Sequence, residues 1–277
     1  MKIALVQHRA TADLAANRRR GVDAVAEAAR AGAGLVTFAE LAFDPFYPQE
    51  KASAAALARA EPIPGPTVDA FAEAARRHGV VVVLNLFERA GDLTYDSSPV
   101  IDADGALLGV TRMVHITDYP CFWEQGYYAP GDTGAPVYDT RAGRVGVAIC
   151  YDRHYPEYMR ALALAGAELV VVPQAGAVGE WPEGLFEAEL RVAAFHNGYH
   201  AALCNRVGEE ACLTFAGESF VCDAEGRVLA RAGAGTEEIL YADLDLEANR
   251  RSHARRLFLR DRRPELYAEW LGRSGSA

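Results

Sequence analysis

The sequence predicts an α/β protein in which two sheets stack face to face and helices cover their outer faces. Two observations lead there. Short apolar runs and Ala-rich amphipathic stretches alternate along the whole chain with no linker between them, so 1–277 reads as one layered domain. Some of the runs are apolar throughout, as strands covered on both faces must be, while others are joined by short turns, as antiparallel strands are.

The elements follow in order. Residues 2–7 (KIALVQ) and 34–39 (GLVTFA) read as buried strands around a helix at 12–31, a βαβ start. A helix at 67–78 (TVDAFAEAARRH), stopped by Gly79, leads into an apolar strand at 80–87 (VVVVLNLF) that is buried on both faces. The stretch SPVIDADGALLGVTRM holds a hairpin turning at Asp104-Gly105, residues that tolerate positive φ. RVGVAIC at 144–150 is a strand, followed by a helix near 155–166, the strand ELVVVP at 168–173 and a long helix near 183–197. Strand candidates then crowd together at 199–205, 218–223, 226–231 and 238–244, with 223–226 as a turn.

Composition narrows the function. With 51% hydrophobic and 24% charged residues and no low-complexity tract, the chain has the profile of an ordinary globular protein able to bury a core. No run approaches the roughly 18 apolar residues of a membrane span, so a cytoplasmic location and no membrane partner are expected. A net charge of −10 disfavours a nucleic-acid partner. The basic stretch RRSHARRLFLRDRR at 250–263 is expected to pair with acidic surface or, within a tail from about 248, with a partner subunit. Cys121, Cys150, Cys204, Cys212 and Cys222 are odd in number and never spaced CxxC, which reads as reduced thiols and no zinc site. Lys2 and Lys51 are the only lysines.

Three residues could carry chemistry. Cys150 ends an apolar strand and precedes YDRHYPE and a helix, so its thiol is expected at a strand's carboxyl end facing a helix N-terminus. There, backbone amides and the macrodipole favour a thiolate and can hold an oxyanion. The alternative is a small core residue. Glu40 follows a buried strand and could share a crevice with Cys150, or be a solvated loop carboxylate. Glu124, in CFWEQGYY, is flanked by aromatics that would raise its pKa, or is a surface residue packed among them.

The segments AE at 39–40, RMVHI at 112–116, FWEQGYYAPGD at 122–132, GVAICYDRHYPE at 146–157 and NGYHAALCNRVG at 197–208 resemble, in order and spacing, the nitrilase or carbon–nitrogen hydrolase superfamily. FAGES at 215–219 and RDRRPELY at 260–267 extend the resemblance over nearly the whole chain. It implies a four-layer α-β-β-α sandwich that pairs as a homodimer or higher homo-oligomer, and a Glu-Lys-Cys triad. The CYDRH and PGDTG segments resemble the N-carbamoyl amine and amino-acid amidohydrolase branches. Cys150 matches the nucleophile, Glu40 the general base, Glu124 a supporting carboxylate, and the Tyr151 backbone N–H an oxyanion donor. Met113 stands where members usually carry the triad lysine.

What the resemblance implies is a cysteine-dependent hydrolase of a C–N bond in a small amide or N-carbamoyl compound, working through a thioester without metal or organic cofactor. Arg153 matches an arginine that faces a substrate carboxylate, with a salt bridge to Glu157 as the plainer role. Phe122, Gln174 and Trp181 are candidates for the pocket lining. The Met113 position leaves two other readings open: a silent relative that binds a ligand or partner, and an amidase whose cationic substrate supplies the missing charge. Arg112 or His115 turning inward, or the Tyr151 and helix-end amides, are the protein's own possible compensations.

Overall fold

The computed structural model describes residues 1–272. The chain opens with β1 (Lys2–Gln7), α1 (Leu14–Arg30) and β2 (Leu35–Phe38). It continues through α2 (Ala54–Leu57), α3 (Pro66–His78), β3 (Val81–Val83), β4 (Leu86–Ala90), β5 (Leu93–Ile101) and β6 (Leu107–Arg112). Two short strands, β7 (Asp118–Tyr119) and β8 (Phe122–Trp123), precede β9 (Val137–Thr140), β10 (Gly143–Val147), α4 (Pro156–Leu164), β11 (Leu169–Gln174) and α5 (Leu185–Asn197). The last part is β12 (His200–Asn205), β13 (Val207–Glu209), β14 (Thr214–Ala216), β15 (Phe220–Cys222), β16 (Val228–Arg231), β17 (Glu238–Asp243) and α6 (Pro264–Leu271).

The first sheet runs β17-β1-β2-β3-β5-β4, with β6 also on β5; the second runs β16-β15-β12-β11-β10-β9. Each has three parallel strands at its centre, β1-β2-β3 and β10-β11-β12, flanked by antiparallel ones. Contacts of β1 and β2 with β11 and β12 set the sheets face to face. Helices α1 and α3 pack together over one outer face, and α4 and α5 over the other. This is the α-β-β-α sandwich expected from the sequence.

Local chemistry accounts for the layers. Helix α1 is capped by Asp13, whose side chain accepts the Ala16 N–H at 2.9 Å, and it buries Gly21, Ala24, Val25 and Ala28 along one face. Helix α3 starts at Pro66 and ends at Gly79, which takes φ +68° and donates to Ala75 O. Its Phe71 packs on Phe38 and Phe43 with ring centroids 5.3 and 4.9 Å away. Each such buried ring contributes about 1.5–3 kcal/mol relative to exposure.

Three expectations are corrected. The run 80–87 is buried as expected but forms two strands, β3 and β4, because the chain breaks at Asn85 to make side-chain hydrogen bonds described below. The strand before Cys150 ends at Val147, and Cys150 instead opens a single 3-10 turn, Cys150–His154, with α4 starting only at Pro156. Cys121 and Cys212 are not free thiols but a disulfide across 91 residues, their Cα atoms 6.3 Å apart; folding of distant loops brings them together, and no spacing rule reports that. Cys150, Cys204 and Cys222 are free and buried.

The basic stretch largely pairs within the chain. Arg255 donates to the carbonyls of Gly198 and Ala167, and His253 binds Glu225. Among the described residues no helix is long and apolar enough to cross a membrane.

Candidate active site

The site lies where strand ends of the two sheets meet, and both of its principal turns carry left-handed backbone. After β2 the chain places Glu40 and then Leu41 at φ +47°; after β10 it places Cys150 itself at φ +42°. A non-glycine residue there costs roughly 1–3 kcal/mol and persists only when neighbours hold it. Leu41 N–H donates to Asn85 Oδ1 at 2.8 Å, and the buried Arg206 guanidinium donates to Glu40 O at 2.9 Å and to Leu41 O. The Cys150 turn is held by Arg153 Nη1 donating to Cys150 O at 2.8 Å and by the buried Asp152 carboxylate. That carboxylate accepts the His115 N–H at 3.0 Å and pairs with His115 Nδ1 at 2.7 Å.

Glu40, Glu124, Asp96 and Cys150 converge, all buried. The Cys150 thiol and the Asp96 carboxyl neighbour the Glu40 carboxyl. No donor side chain or amide reaches either Glu40 oxygen, Asp96 Oδ2 or Glu124 Oε2. Burial pushes the Glu40 carboxyl up to about 8, Glu124 adding to the rise, while contact with Asp96 and Cys150 and the Arg206 charge pull it back. Burial and then the neighbouring Glu40 hold Asp96 well above the carboxylate range; burial and then Asp96 do the same to Glu124. The Cys150 thiol is likewise pushed up by burial and by Glu40, with Arg153 opposing. The resting nucleophile is therefore a thiol beside a basic carboxyl, not a preformed thiolate.

Gln174, at the end of β11, meets the sulfur directly. Arg153 Nη1 donates to Gln174 Oε1 at 2.6 Å, which turns Gln174 Nε2 toward Cys150 Sγ at 3.3 Å. Arg153 Nε stands 3.3 Å from Glu189 Oε2, so its acidic neighbour is Glu189 rather than Glu157, and Nη2 has no partner. Tyr151 follows the nucleophile in the same turn. Phe122 is buried against Phe46 and Tyr119, and Trp181 is half-buried between His154 and Tyr119.

Met113 is fully buried and uncharged, its N–H on Asp96 O at 2.9 Å. None of the other cations considered from the sequence turns inward. Arg112 is gripped by Glu88 at 2.6 Å and Asp132 at 2.8 Å, and His115 stacks on Tyr155 at 3.5 Å while bound to Asp152. Lys2 donates to Ala31 O, and the exposed Lys51 lies 5.1 Å over the Trp123 ring.

Sequence reasoning missed Asp96, Asn85, Arg206 and Glu180. Glu180 accepts the Tyr119 hydroxyl at 2.6 Å and the Ala177 N–H at 2.9 Å, and its charge raises the Cys150 thiol further. A groove of about 600 Å³ between α4 and α5 is lined by Arg153, His154, Trp181, Phe186 and Glu189, but not by Cys150, Glu40 or Glu124. The reacting groups are buried and do not line it. Among the described residues no group of three or more His, Cys, Asp or Glu is disposed to hold a metal ion.

The model of the family described as carbon-nitrogen hydrolase matches residues 2–253. An N-carbamoylputrescine amidase of Solanum lycopersicum is 36% identical over 290 aligned positions, which cover 99% of this chain and 96% of that protein. The crystal structure of a carbon-nitrogen hydrolase from Helicobacter pylori G27 superposes with a TM-score of 0.92 at 32% identity and 99% coverage of both chains. A mutant of the amidase from Nesterenkonia sp. AN1, solved with the result of Michael addition of acrylamide at its active-site cysteine, gives a TM-score of 0.81 at 28% identity. That match covers 98% of this chain and 99% of that one.

Proposed function

The chain belongs to the carbon–nitrogen hydrolase family, and on that premise we propose that it cleaves a C–N bond of a small amide or N-carbamoyl compound by covalent catalysis at Cys150. One observation carries the reading: the Cys150 thiol, fixed in a left-handed turn, stands beside a buried carboxyl, Glu40, whose pKa lies near the working range of a general base.

Glu40 takes the thiol proton as sulfur attacks the carbonyl or carbamoyl carbon. Negative charge moves onto the substrate oxygen, where the Tyr151 N–H receives it. Collapse returns the proton from Glu40 to the departing nitrogen, leaving a thioester, and water activated by Glu40 then releases the acid and the thiol. Gln174 Nε2 donates toward the sulfur and steadies its charge during attack. Glu124, itself lifted by burial, adds to the rise that keeps Glu40 basic. Arg153 Nη2, unpartnered beside the groove, is the atom offered to a substrate carboxylate, with Trp181, which lines the groove, as an apolar wall. Met113 stands in place of an ammonium, so this site works without the cation that would otherwise help hold the oxyanion. The exposed Leu185 and Val192 of α5 support pairing of two copies, which sedimentation of the purified chain tests directly.

The chemistry is tested by incubating the protein with a panel of carbamoyl compounds, amides and nitriles and measuring intact mass. An acyl or carbamoyl adduct that vanishes in Cys150→Ala supports the reading. Unchanged turnover in that variant overturns it.

A further inference from the structure

We propose that Asp96 is a positioning residue of the reaction: a carboxylic acid that keeps its own proton on Oδ2 and donates it to the Glu40 carboxylate, occupying the role that a cation would otherwise fill. The proposal rests on the reading of Glu40 as general base and deepens it.

The argument starts from Asn85. Its side-chain oxygen accepts the Leu41 N–H at 2.8 Å, and a backbone amide can only donate, so the orientation of the Asn85 amide is fixed. Its Nδ2 therefore donates, and it does so to Asp96 Oδ1 and to Ser98 Oγ at 3.2 Å. Asp96 Oδ1 is thus an acceptor. The proton of a neutral Asp96 belongs on the other oxygen, Oδ2, which has no partner, and Glu40 is the carboxyl next to it. Glu40 in turn has no donor on either oxygen. Two neighbouring, fully buried carboxyls, with Asp96 Oδ2 and both Glu40 oxygens reached by no other donor, are satisfied together only when one carries a proton and the other accepts it.

The surroundings leave no other source of balance. Met113, whose N–H binds Asp96 O, is buried and brings no charge. The facing cation, Arg206, directs Nη1 at the carbonyls of Glu40 and Leu41 and Nη2 at Asp44 O and Glu210, not at the Glu40 carboxyl. The other titratable groups facing the pair are Glu124, Asp152, Tyr47, Tyr128 and Cys150. Burial keeps the tyrosines and the thiol protonated, so they add no charge that would expel the Asp96 proton. Asp152 is engaged with His115 and the Val114 N–H.

In the attack step the Cys150 proton passes to Glu40 as the S–C bond forms and the carbonyl π pair moves onto oxygen, while Asp96 keeps its own proton. The pair carries one negative charge before the step and none after it. A dianionic pair would oppose charge build-up on sulfur and oxygen alike.

The test reads the proton itself. Infrared spectra recorded above pH 8, where Glu40 is ionised, are expected to show protonated-carboxyl C=O absorption with a component that Asp96→Asn removes, the Glu124 component remaining. In kcat/KM, Asp96→Asn is expected to move the alkaline limb up by one pH unit or more, because the pair can no longer lose its second proton. Protonated-carboxyl absorption that Asp96→Asn leaves unchanged, or a pH profile that merely scales down uniformly, overturns the proposal. Should Asp96→Asn fail to fold, ¹³C labelling of aspartate side-chain carboxyls in the wild-type protein replaces it: one component of the absorption must shift, and absorption that belongs wholly to glutamate overturns the proposal. The spectra need no turnover, so an inactive protein with the Asp96 component refutes the hydrolase reading and leaves the carboxyl pair standing.

Discussion

The two sheets share a plan, three parallel strands flanked by antiparallel ones, yet the ends of those strands present opposite chemistry. The first sheet offers Glu40 after β2, Asn85 after β3 and Asp96 within β5: acids and one amide. The second offers Cys150 after β10, Gln174 at the end of β11 and Arg206 after β12: a thiol, an amide and a guanidinium. Each sheet uses its amide in the same way. Asn85 is oriented by the Leu41 N–H and turns its donors on Asp96 and Ser98, while Gln174 is oriented by Arg153 and turns its donor on Cys150. The layers that give the fold its core thus also keep base and nucleophile apart until the sheets stack, and neither sheet alone holds a reactive pair.

Removing the thiol breaks this comparison most severely. Cys150→Ala is expected to lower kcat/KM by at least about 10³-fold with the fold intact, measured by steady-state kinetics beside circular dichroism. Removing the base from the opposite sheet comes next. Glu40→Gln should cost about 10²–10⁴-fold in kcat and abolish the acid limb of the pH profile, which in the parent protein lies near 8 because only ionised Glu40 accepts the thiol proton.

The same carboxyl predicts how stability responds to pH. A group lifted from 4.5 unfolded to about 8 folded binds its proton more tightly in the native state. Its contribution is full below 4.5 and is lost as pH rises through about 8. Urea midpoints should fall across that window, and the fall should flatten in Glu40→Gln; equal slopes in the two proteins would contradict the assignment.

Arg206 spans the two sheets rather than reacting. Arg206→Met strips the donors from Glu40 O and Leu41 O and leaves Glu210 without its 2.7 Å partner, which should cost about 3–5 kcal/mol in urea unfolding. The smallest change sharpens the comparison by placing a second-sheet charge type in the first sheet. Met113→Lys sets an ammonium beside the acids and should move the acid limb down by about 1–3 pH units. A limb that stays put would mean the new side chain points elsewhere.

Much of this architecture was legible in the sequence, since strand and helix periods, Gly79 and Asp104-Gly105 are local signals. Glu40, Glu124 and Cys150 do converge, and the family resemblance, not their spacing, singled them out. What escaped depended on partners far along the chain. The break at Asn85 continues an apolar pattern and makes sense only beside Leu41 and Asp96, on other segments. The left-handed backbone of Cys150 has no sequence signature, because cysteine is not a residue that marks such a turn. Asp96 did leave a trace. Asp96-Ser97-Ser98 is a polar run inside a strand whose three side chains are all buried, and an unbroken buried polar run announces a hydrogen-bond network.

The Cys121–Cys212 bond turns a linear chain into a ring with two tails. The ring encloses Glu124, Cys150, Gln174 and Arg206, and the tail before it carries Glu40 and Asp96. A cut at the exposed Val178–Gly179 stretch would therefore open the circle without releasing a fragment: the protein would migrate whole on a non-reducing gel and split in two once reduced. In topological terms, the nucleophile rides on a closed loop and its base on a free arm.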